Sequence, residues 1–315
     1  RECVYEAGER DEADALRQIG ERMPLADIIE RHARALPDRC ALHFEGEDVS
    51  YSQLWQRIER TTGVLRAHGV KLGDRVAYMG LNDPALLVLL FALARLGAIL
   101  LPLNYRLAPA ELRAILDHAG AGLLVTDEHH ATVAAALTSA GGLKSIPLAR
   151  LSANAPVVAD QAVPQSVVLD QLPALLVYTS GTTGKPKGAL HTQAGLVWNC
   201  VISAHAHDLN PSDHVLTVLP MFHVGGLCIQ TLPALHAGAM VTLHRRFEAG
   251  AWLRDVQQRR PTISLMVPAT LRAVLEHVDF EKTDLSSLKL LNAGSSLVPV
   301  SMIAALHARG VPVCQ

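Results

Sequence analysis

The sequence has little that would cross-link it. Its five cysteines, Cys3, Cys40, Cys200, Cys228 and Cys314, are scattered and odd in number. None forms a C-x-x-C pair. That argues against a disulfide framework and against a zinc site, and for free thiols in a reducing cytoplasm. It also lacks a long apolar run. The longest, Ala85–Ala94, is closed by Arg95 and is too short to span a bilayer. It reads as a buried helix running into a strand. Charge of one sign is missing too: 28 Lys and Arg face 30 Asp and Glu, a net charge of −2. No basic field is present to draw in nucleic acid. Among 15 histidines, His129-His130 and His205-x-His207 have no nearby cysteine or third ligand at metal spacing, so they read as solvent-facing. No signal peptide is visible. The chain starts Arg-Glu-Cys, without a methionine, as a processed or trimmed piece would.

What is present is a packed chain of 315 residues, 50% hydrophobic, enough for one large or two medium domains. Arg1–Arg22 is charged, with a weak apolar face, and reads as a peripheral extension. Leu25, Ile28, Ile29 and His32 then recur at helical spacing, and Pro37 closes the segment. Cys40–Phe44 and the Gly46-Glu47 turn predict a hairpin. Ser50 is placed to cap a helix that runs to about Ala67.

Alternating units follow: strands over Arg75–Met79, Ala98–Leu101 and Gly122–Val125, and helices over Pro84–Ala94 and Pro109–His118. Residues 127–170 are looser. A second run predicts strands over His214–Val218, Ala239–Leu243, Ile263–Met266 and Leu288–Leu291. Its helices fall over Gly226–Leu235, Ala249–Gln258 and Ala269–His277. Asp74-Arg75-Val76 aligns with Asp213-His214-Val215, and Leu96-Gly97-Ala98 with Ala237-Gly238-Ala239, at nearly the same spacing. This is either an internal repeat or the ordinary likeness of two βαβ runs. Strands alternating with helices predict mostly parallel sheets.

The stretch that carries chemistry is Leu175–His191. A buried strand, Leu175–Tyr178, empties into Thr179, Ser180, Gly181, Thr182, Thr183, Gly184, Lys185, Pro186 and Lys187, and a helix-like segment follows from about His191. The glycines let the backbone approach phosphate oxygens, the hydroxyls can donate to those oxygens, and Lys187 supplies a charge on a flexible stem. The loop is not a Walker A motif, since nothing between Gly181 and Gly188 fits G-x-x-x-x-G-K-[ST].

Two further segments follow predicted strands. Leu219–Leu227 holds His223, Val224, Gly225 and Gly226. By itself it reads first as a helix N-terminus with a satisfied histidine, and second as space for a substrate. Asn292–Pro299 holds Gly294, Ser295 and Ser296, small enough for a flat base to lie on the backbone, or simply a strand–helix turn. Arg106, in Leu103–Leu112, either reaches a phosphate or caps a helix, and the structural role is favoured.

The run YTSGTTGKPKG, matched from Leu176 to Lys187, resembles the phosphate-binding signature of the adenylate-forming (AMP-binding) superfamily, which includes acyl-CoA synthetases. Weaker resemblance extends from Met23 to the end. It implies an α/β fold of two stacked layers of mostly parallel sheet with flanking helices, as in the large N-terminal domain of an acyl-CoA synthetase, over residues 23–315, with subdomains near 23–170 and 171–315. It also implies ATP-dependent activation of a carboxylate to an acyl-adenylate, then transfer to coenzyme A, as in fatty acid metabolism.

By the same resemblance Thr179, Ser180, Gly181, Thr182, Thr183, Gly184 and Lys187 hold the phosphates, and Thr179 meets Mg²⁺. Gly294, Ser295 and Ser296 hold the base, and His223, Val224, Gly225 and Gly226 border the acyl group. Lys187 and His223 take the catalytic roles, His223 by positioning the carboxylate. Ala293 and Ser295-Ser296 depart from the family's usual Gly and Ala-Pro. The family's later motifs are absent, so the domain is expected to be incomplete and inactive alone. The family leaves room for a homodimer. The alternatives are a non-catalytic ATP-binding piece, a phosphotransferase or ATPase using the same loop, and adenylation for another acceptor.

Overall fold

The computed structural model describes residues 24–139, 141–151, 171–179 and 187–315. The charged extension over residues 1–22 lies outside them, as does Cys3. Most of the phosphate loop, Ser180, Gly181, Thr182, Thr183, Gly184, Lys185 and Pro186, lies outside them too.

The chain opens with α1 (Asp27–Ala35), then the hairpin β1 (Cys40–Phe44) and β2 (Glu47–Ser50). Glu45 and Gly46 both take positive φ at its turn. Helix α2 (Tyr51–Ala67) starts at Ser50, whose side chain accepts from Gln53 N, while the Gln53 side chain accepts from Ser50 N. This reciprocal box satisfies two amides that have no partner inside the helix.

Four strands and three helices then alternate, and a hairpin follows: β3 (Arg75–Met79), α3 (Pro84–Leu96), β4 (Ile99–Pro102), α4 (Pro109–Ala119), β5 (Leu123–Thr126), α5 (Ala131–Thr138), β6 (Lys144–Pro147), and the pair β7 (Pro173–Thr179) and β8 (Lys187–Thr192). The second run is α6 (Gln193–Ala206), β9 (His214–Thr217), α7 (Val224–Leu227), α8 (Thr231–Ala237), β10 (Met240–Leu243), α9 (Ala249–Arg259), β11 (Ile263–Met266), α10 (Pro268–Leu275), β12 (Leu290–Ala293), α11 (Val300–Ala308) and β13 (Val313–Cys314).

One sheet has the order β6-β5-β3-β4-β7-β8, the other β13-β12-β11-β9-β10-β1-β2. Apart from the outermost β13, both run through four parallel strands in the same topological order and end in an antiparallel pair. The pairs are exchanged in sequence: residues 40–50 finish the second sheet, and residues 173–192 finish the first. The internal repeat is therefore structural, and its small parts recur. Asp74 Oδ2 accepts from Lys71 N at 3.0 Å, and Asp213 Oδ2 from Asn210 N at 2.9 Å. Gly97 and Gly238 each end a helix with φ near +64° and +77°, a conformation that favours glycine.

Side chains alternate between faces along each strand. Val76 and Tyr78 join a central core, while Ala77 and Met79 join an outer one against α4 and α5. Val215 enters the central core, and Leu216 faces α9, α10 and α11. The central cluster draws on both sheets and on α1, α2, α3, α6 and α8. Helix α3, apolar all round and buried along almost its whole length, sits inside it. This is the place of the Ala85–Ala94 run.

The sequence reading needs two corrections. A strand, β8, separates the phosphate loop from the next helix, which starts at Gln193 and not near His191. The single helix expected over Gly226–Leu235 is two, broken at Cys228–Gln230.

Candidate active site

Every parallel strand of the first sheet points its carboxyl end the same way, and so does every parallel strand of the second. A cleft of about 700 Å³ opens between those two ends. Its walls come from the residues just beyond six strands. After β3 stand Leu81 and Asn82. After β4 stand Asn104, Tyr105 and Arg106. Past β9 come Leu219, Phe222, His223, Gly225 and Gly226. The loops after β10, β11 and β12 add Arg245 and Arg246, Val267 and Thr270, and Ser295. Open α/β sheets collect ligands at this edge because loops and free amides converge there.

Asn82 stitches the two edges together. Its Nδ2 donates to Leu219 O and His244 O, both at 3.0 Å, and its Oδ1 accepts from Met221 N at 2.8 Å. It is 6% exposed. This one side chain sets how the β9 segment carrying His223 lies against the loop after β3.

His223 precedes the four-residue helix α7. Its Nδ1 accepts from Gly225 N at 2.9 Å. In the neutral ring the proton therefore sits on Nε2, which is left to donate. Gly226 could not be larger: a Cβ there would lie 2.4 Å from Pro220 O and 2.6 Å from Leu219 O. Ser295 holds φ +71°, a conformation unusual for a side-chain-bearing residue. It presents the chain after β12 to the cleft.

Three arginines stand on the cleft wall. Arg106, Arg245 and Arg246 line it, and no Asp or Glu does among the described residues. Arg245 is already engaged: it pairs with both carboxylate oxygens of Glu45 at 2.7 Å and stacks on Phe44 at 4.8 Å. The guanidinium holds the Glu45 carboxyl below the usual carboxylate range. Arg106 lies over the rings of Tyr105 and Phe222, 5.5 and 5.8 Å from their centroids. It does not cap α4. There the Glu111 carboxylate accepts from Ala108 N at 2.9 Å.

Thr179 and Lys187 face each other in register on the β7–β8 ladder, both exposed, and so form the stem of the phosphate loop. β7 runs parallel to β4, so this stem rises from the same edge of the sheet as Arg106. Tyr178 OH and His118 Nδ1, 2.6 Å apart, tie the strand end to α4.

The structure thus brings His223, Gly225, Gly226 and Ser295 to one cleft. Val224 instead packs on the central core. Gly294 and Ser296 adjoin Ser295 without lining the cleft. Ser180, Gly181, Thr182, Thr183 and Gly184 fall outside the described residues. Asn82, Tyr105, Arg245 and Arg246 were not anticipated as site residues. Asn82-Asp83-Pro84 reads in sequence only as a helix start, and nothing local says that its amide crosses between sheets.

Of the two histidine pairs, His130 donates from Nδ1 to Asp127 Oδ1 at 2.6 Å, and His207 Nδ1 lies 2.7 Å from Ser203 O. Cys40, Cys200, Cys228 and Cys314 are free thiols.

Known proteins share this architecture. The AMP-binding enzyme family matches residues 29–315. The chain is 42% identical to an indoleacetate–CoA ligase of Aromatoleum aromaticum, over 93% of this chain and 59% of that protein. It is 40% identical to a feruloyl-CoA synthase of Amycolatopsis, over 90% and 57%. It superposes on the inhibitor-bound N-terminal domain of FACL13 from Mycobacterium tuberculosis with a TM-score of 0.83, at 26% identity, over 92% of this chain and 74% of that one. On the o-succinylbenzoate CoA synthetase of Bacillus subtilis, solved with ATP and magnesium, the TM-score is 0.79 at 27% identity, over 91% and 58%. The chain spans under three-fifths of the length of these two curated relatives. The phosphate-loop stem, the two-sheet cleft and these matches agree, and the chain belongs to the AMP-binding enzyme family.

Proposed function

We propose that the protein joins a carboxylic acid to ATP, forming an acyl-adenylate and pyrophosphate, and then passes the acyl group to the thiol of coenzyme A. The observation that carries this is the cleft itself, lined by arginines, free of carboxylates among the described residues, and bordered by both sheets. A carboxylate and a triphosphate repel each other until cations neutralise them. Arginines held in place, of which Arg106 lies on aromatic rings, would do so without reorganising at the moment of reaction.

In this reading the carboxylate oxygen attacks the α-phosphorus and pyrophosphate leaves. Lys187 and the loop hydroxyls hold the β- and γ-phosphates. His223 donates from Nε2 to the reacting oxygens. It is not a base, because a carboxylic acid is already ionised at neutral pH. Ser295, with Gly294 and Ser296, carries the base. The donor chemistry fits Mg²⁺. Thr179 offers a hard hydroxyl oxygen, and among the described residues no three His, Cys, Asp or Glu side chains gather into a cage. This suits an ion carried in on phosphates. When bound, Mg²⁺ would supply further neutralising charge on the leaving group.

The acid we infer is aromatic. Tyr105, Phe222 and Phe247 border the cleft, and the relatives named above act on indoleacetate and ferulate. No described helix is long and apolar enough to cross a membrane, and the scattered cysteines favour a cytoplasmic setting. The test is a carboxylate-dependent ATP–pyrophosphate exchange screen on the full-length protein. Exchange with ring-bearing acids is expected. Release of ADP and phosphate instead would replace this reading with a phosphotransferase.

A further inference from the structure

Behind the floor of the cleft lies a small void of about 10 Å³, lined by Thr217, Leu219, Gly225, Gly226, Gln230 and Leu265 among others. It shares Val218, Leu219, Gly225 and Gly226 with the cleft. Two of those four residues are glycines, so no side chain from them stands between the two spaces. The void therefore adjoins the cleft.

Gln230 is 3% exposed, and its Nε2 has no hydrogen-bond partner among the described residues. Buried amides are almost always satisfied. Gln193, fully buried, shows the usual case: its Oε1 accepts from Leu25 N and its Nε2 donates to Ala94 O, both at 2.9 Å. Gln230 stands at the N-cap of α8 yet makes no capping bond. Its neighbours do not need it. Thr231 Oγ1 donates to Gly226 O at 2.6 Å and pairs with Thr217 Oγ1 at 2.8 Å. No hydrogen bond among the described residues accounts for the amide nitrogen.

We propose that Gln230 is a specificity residue that binds one polar atom, a ring hydroxyl or carbonyl oxygen, at the far end of the acyl group. This rests on the carboxylate-ligase reading and deepens it. The void admits about one heavy atom, so the group read is small. A hydroxyl both donates and accepts, so it suits either orientation of the amide. Acids that lack the group would leave the buried amide unpaired, which is the strongest form of rejection a pocket has.

The test compares kcat/KM for pyrophosphate release with matched ring acids, unsubstituted or hydroxylated at the 3- or 4-position. The proteins are the full-length wild type, Gln230→Leu and Gln230→Glu. The wild type should prefer one hydroxylated acid by about tenfold or more. Gln230→Leu should abolish or invert that preference through KM, leaving kcat for the unsubstituted acid in place. Gln230→Glu, still an acceptor for a hydroxyl, should retain it, and it keeps the test open if the leucine variant does not fold. An unchanged ratio in the variants, or no preference in a wild type that turns over both acids, overturns the proposal. If no acid gives pyrophosphate, the ligase reading itself falls and the proposal with it.

Discussion

Lys187 shows how much a single residue carries and how much its surroundings decide. It stands opposite Thr179 at the stem of the phosphate loop, exposed, with nothing of its own chemistry marking it out. Its role comes from the anion it would meet. Lys187→Ala should slow acyl-adenylate formation by on the order of 10²–10³, the usual loss when one preorganised charge is taken from a developing anion. Thioester formation from a supplied acyl-adenylate should be nearly spared, because pyrophosphate has already gone. Separate assays of the two half-reactions check this, and equal losses in both would remove Lys187 from that role. The place of His223 and Ser295 at a strand end was legible at this scale because each follows an apolar strand and sits among glycines or small residues. Arg245 and Arg246 were not, since a pair of arginines after a strand looks like any solvated turn.

Among the elements, those with clear punctuation were readable. Arg75–Met79 and Ile263–Met266 are strands over the predicted bounds, each a short apolar run that turn residues delimit. Strand β8 was missed for a physical reason. Lys187–Thr192 has no apolar alternation, and its residues are exposed or half-buried. Its ladder to β7, not its own sequence, makes it a strand, and that information is not local. The joint between the sheets was equally invisible. Asn82→Ala would leave Leu219 O, His244 O and Met221 N without the partners they now have. The expected cost is about 2–5 kcal/mol, from buried groups stripped of their hydrogen bonds. Urea unfolding should show the midpoint fall with an unchanged slope. A loss below about 0.5 kcal/mol would mean that Asn82 does not hold the two edges together.

For the whole molecule, strand–helix alternation made the mostly parallel sheets legible, while the likeness of Asp74–Ala98 to Asp213–Ala239 left a repeat open and the family resemblance implied the two layers. The exchange of antiparallel pairs between the layers was not legible, because it is a property of the tertiary pairing alone. The shared central core also makes global stability sensitive to pH. Burial pushes the His236 imidazole down to about 4, with Arg31 and His32 adding to the effect. The unfolded chain takes up that proton near pH 6.5 and the folded chain only near 4, so the unfolded state binds more protons between them. Stability from this group is complete above pH 6.5 and is lost as the pH falls towards 4. The ceiling is about 3 kcal/mol, and less in practice because the ring is partly solvated. Unfolding midpoints at pH 7.5, 6 and 5 should fall more steeply in the wild type than in His236→Leu. Parallel slopes would contradict it.

The central claim is that a carboxylate oxygen attacks the α-phosphorus of ATP at this cleft. If it does, that oxygen leaves with AMP when the thiol takes the acyl group. The direct measurement is turnover of an ¹⁸O-labelled aryl carboxylate by the full-length protein with ATP and coenzyme A, followed by mass analysis of the nucleotide. The account predicts one ¹⁸O in the phosphate of AMP for each thioester formed. Unlabelled AMP, or label in inorganic phosphate alongside ADP, would contradict it.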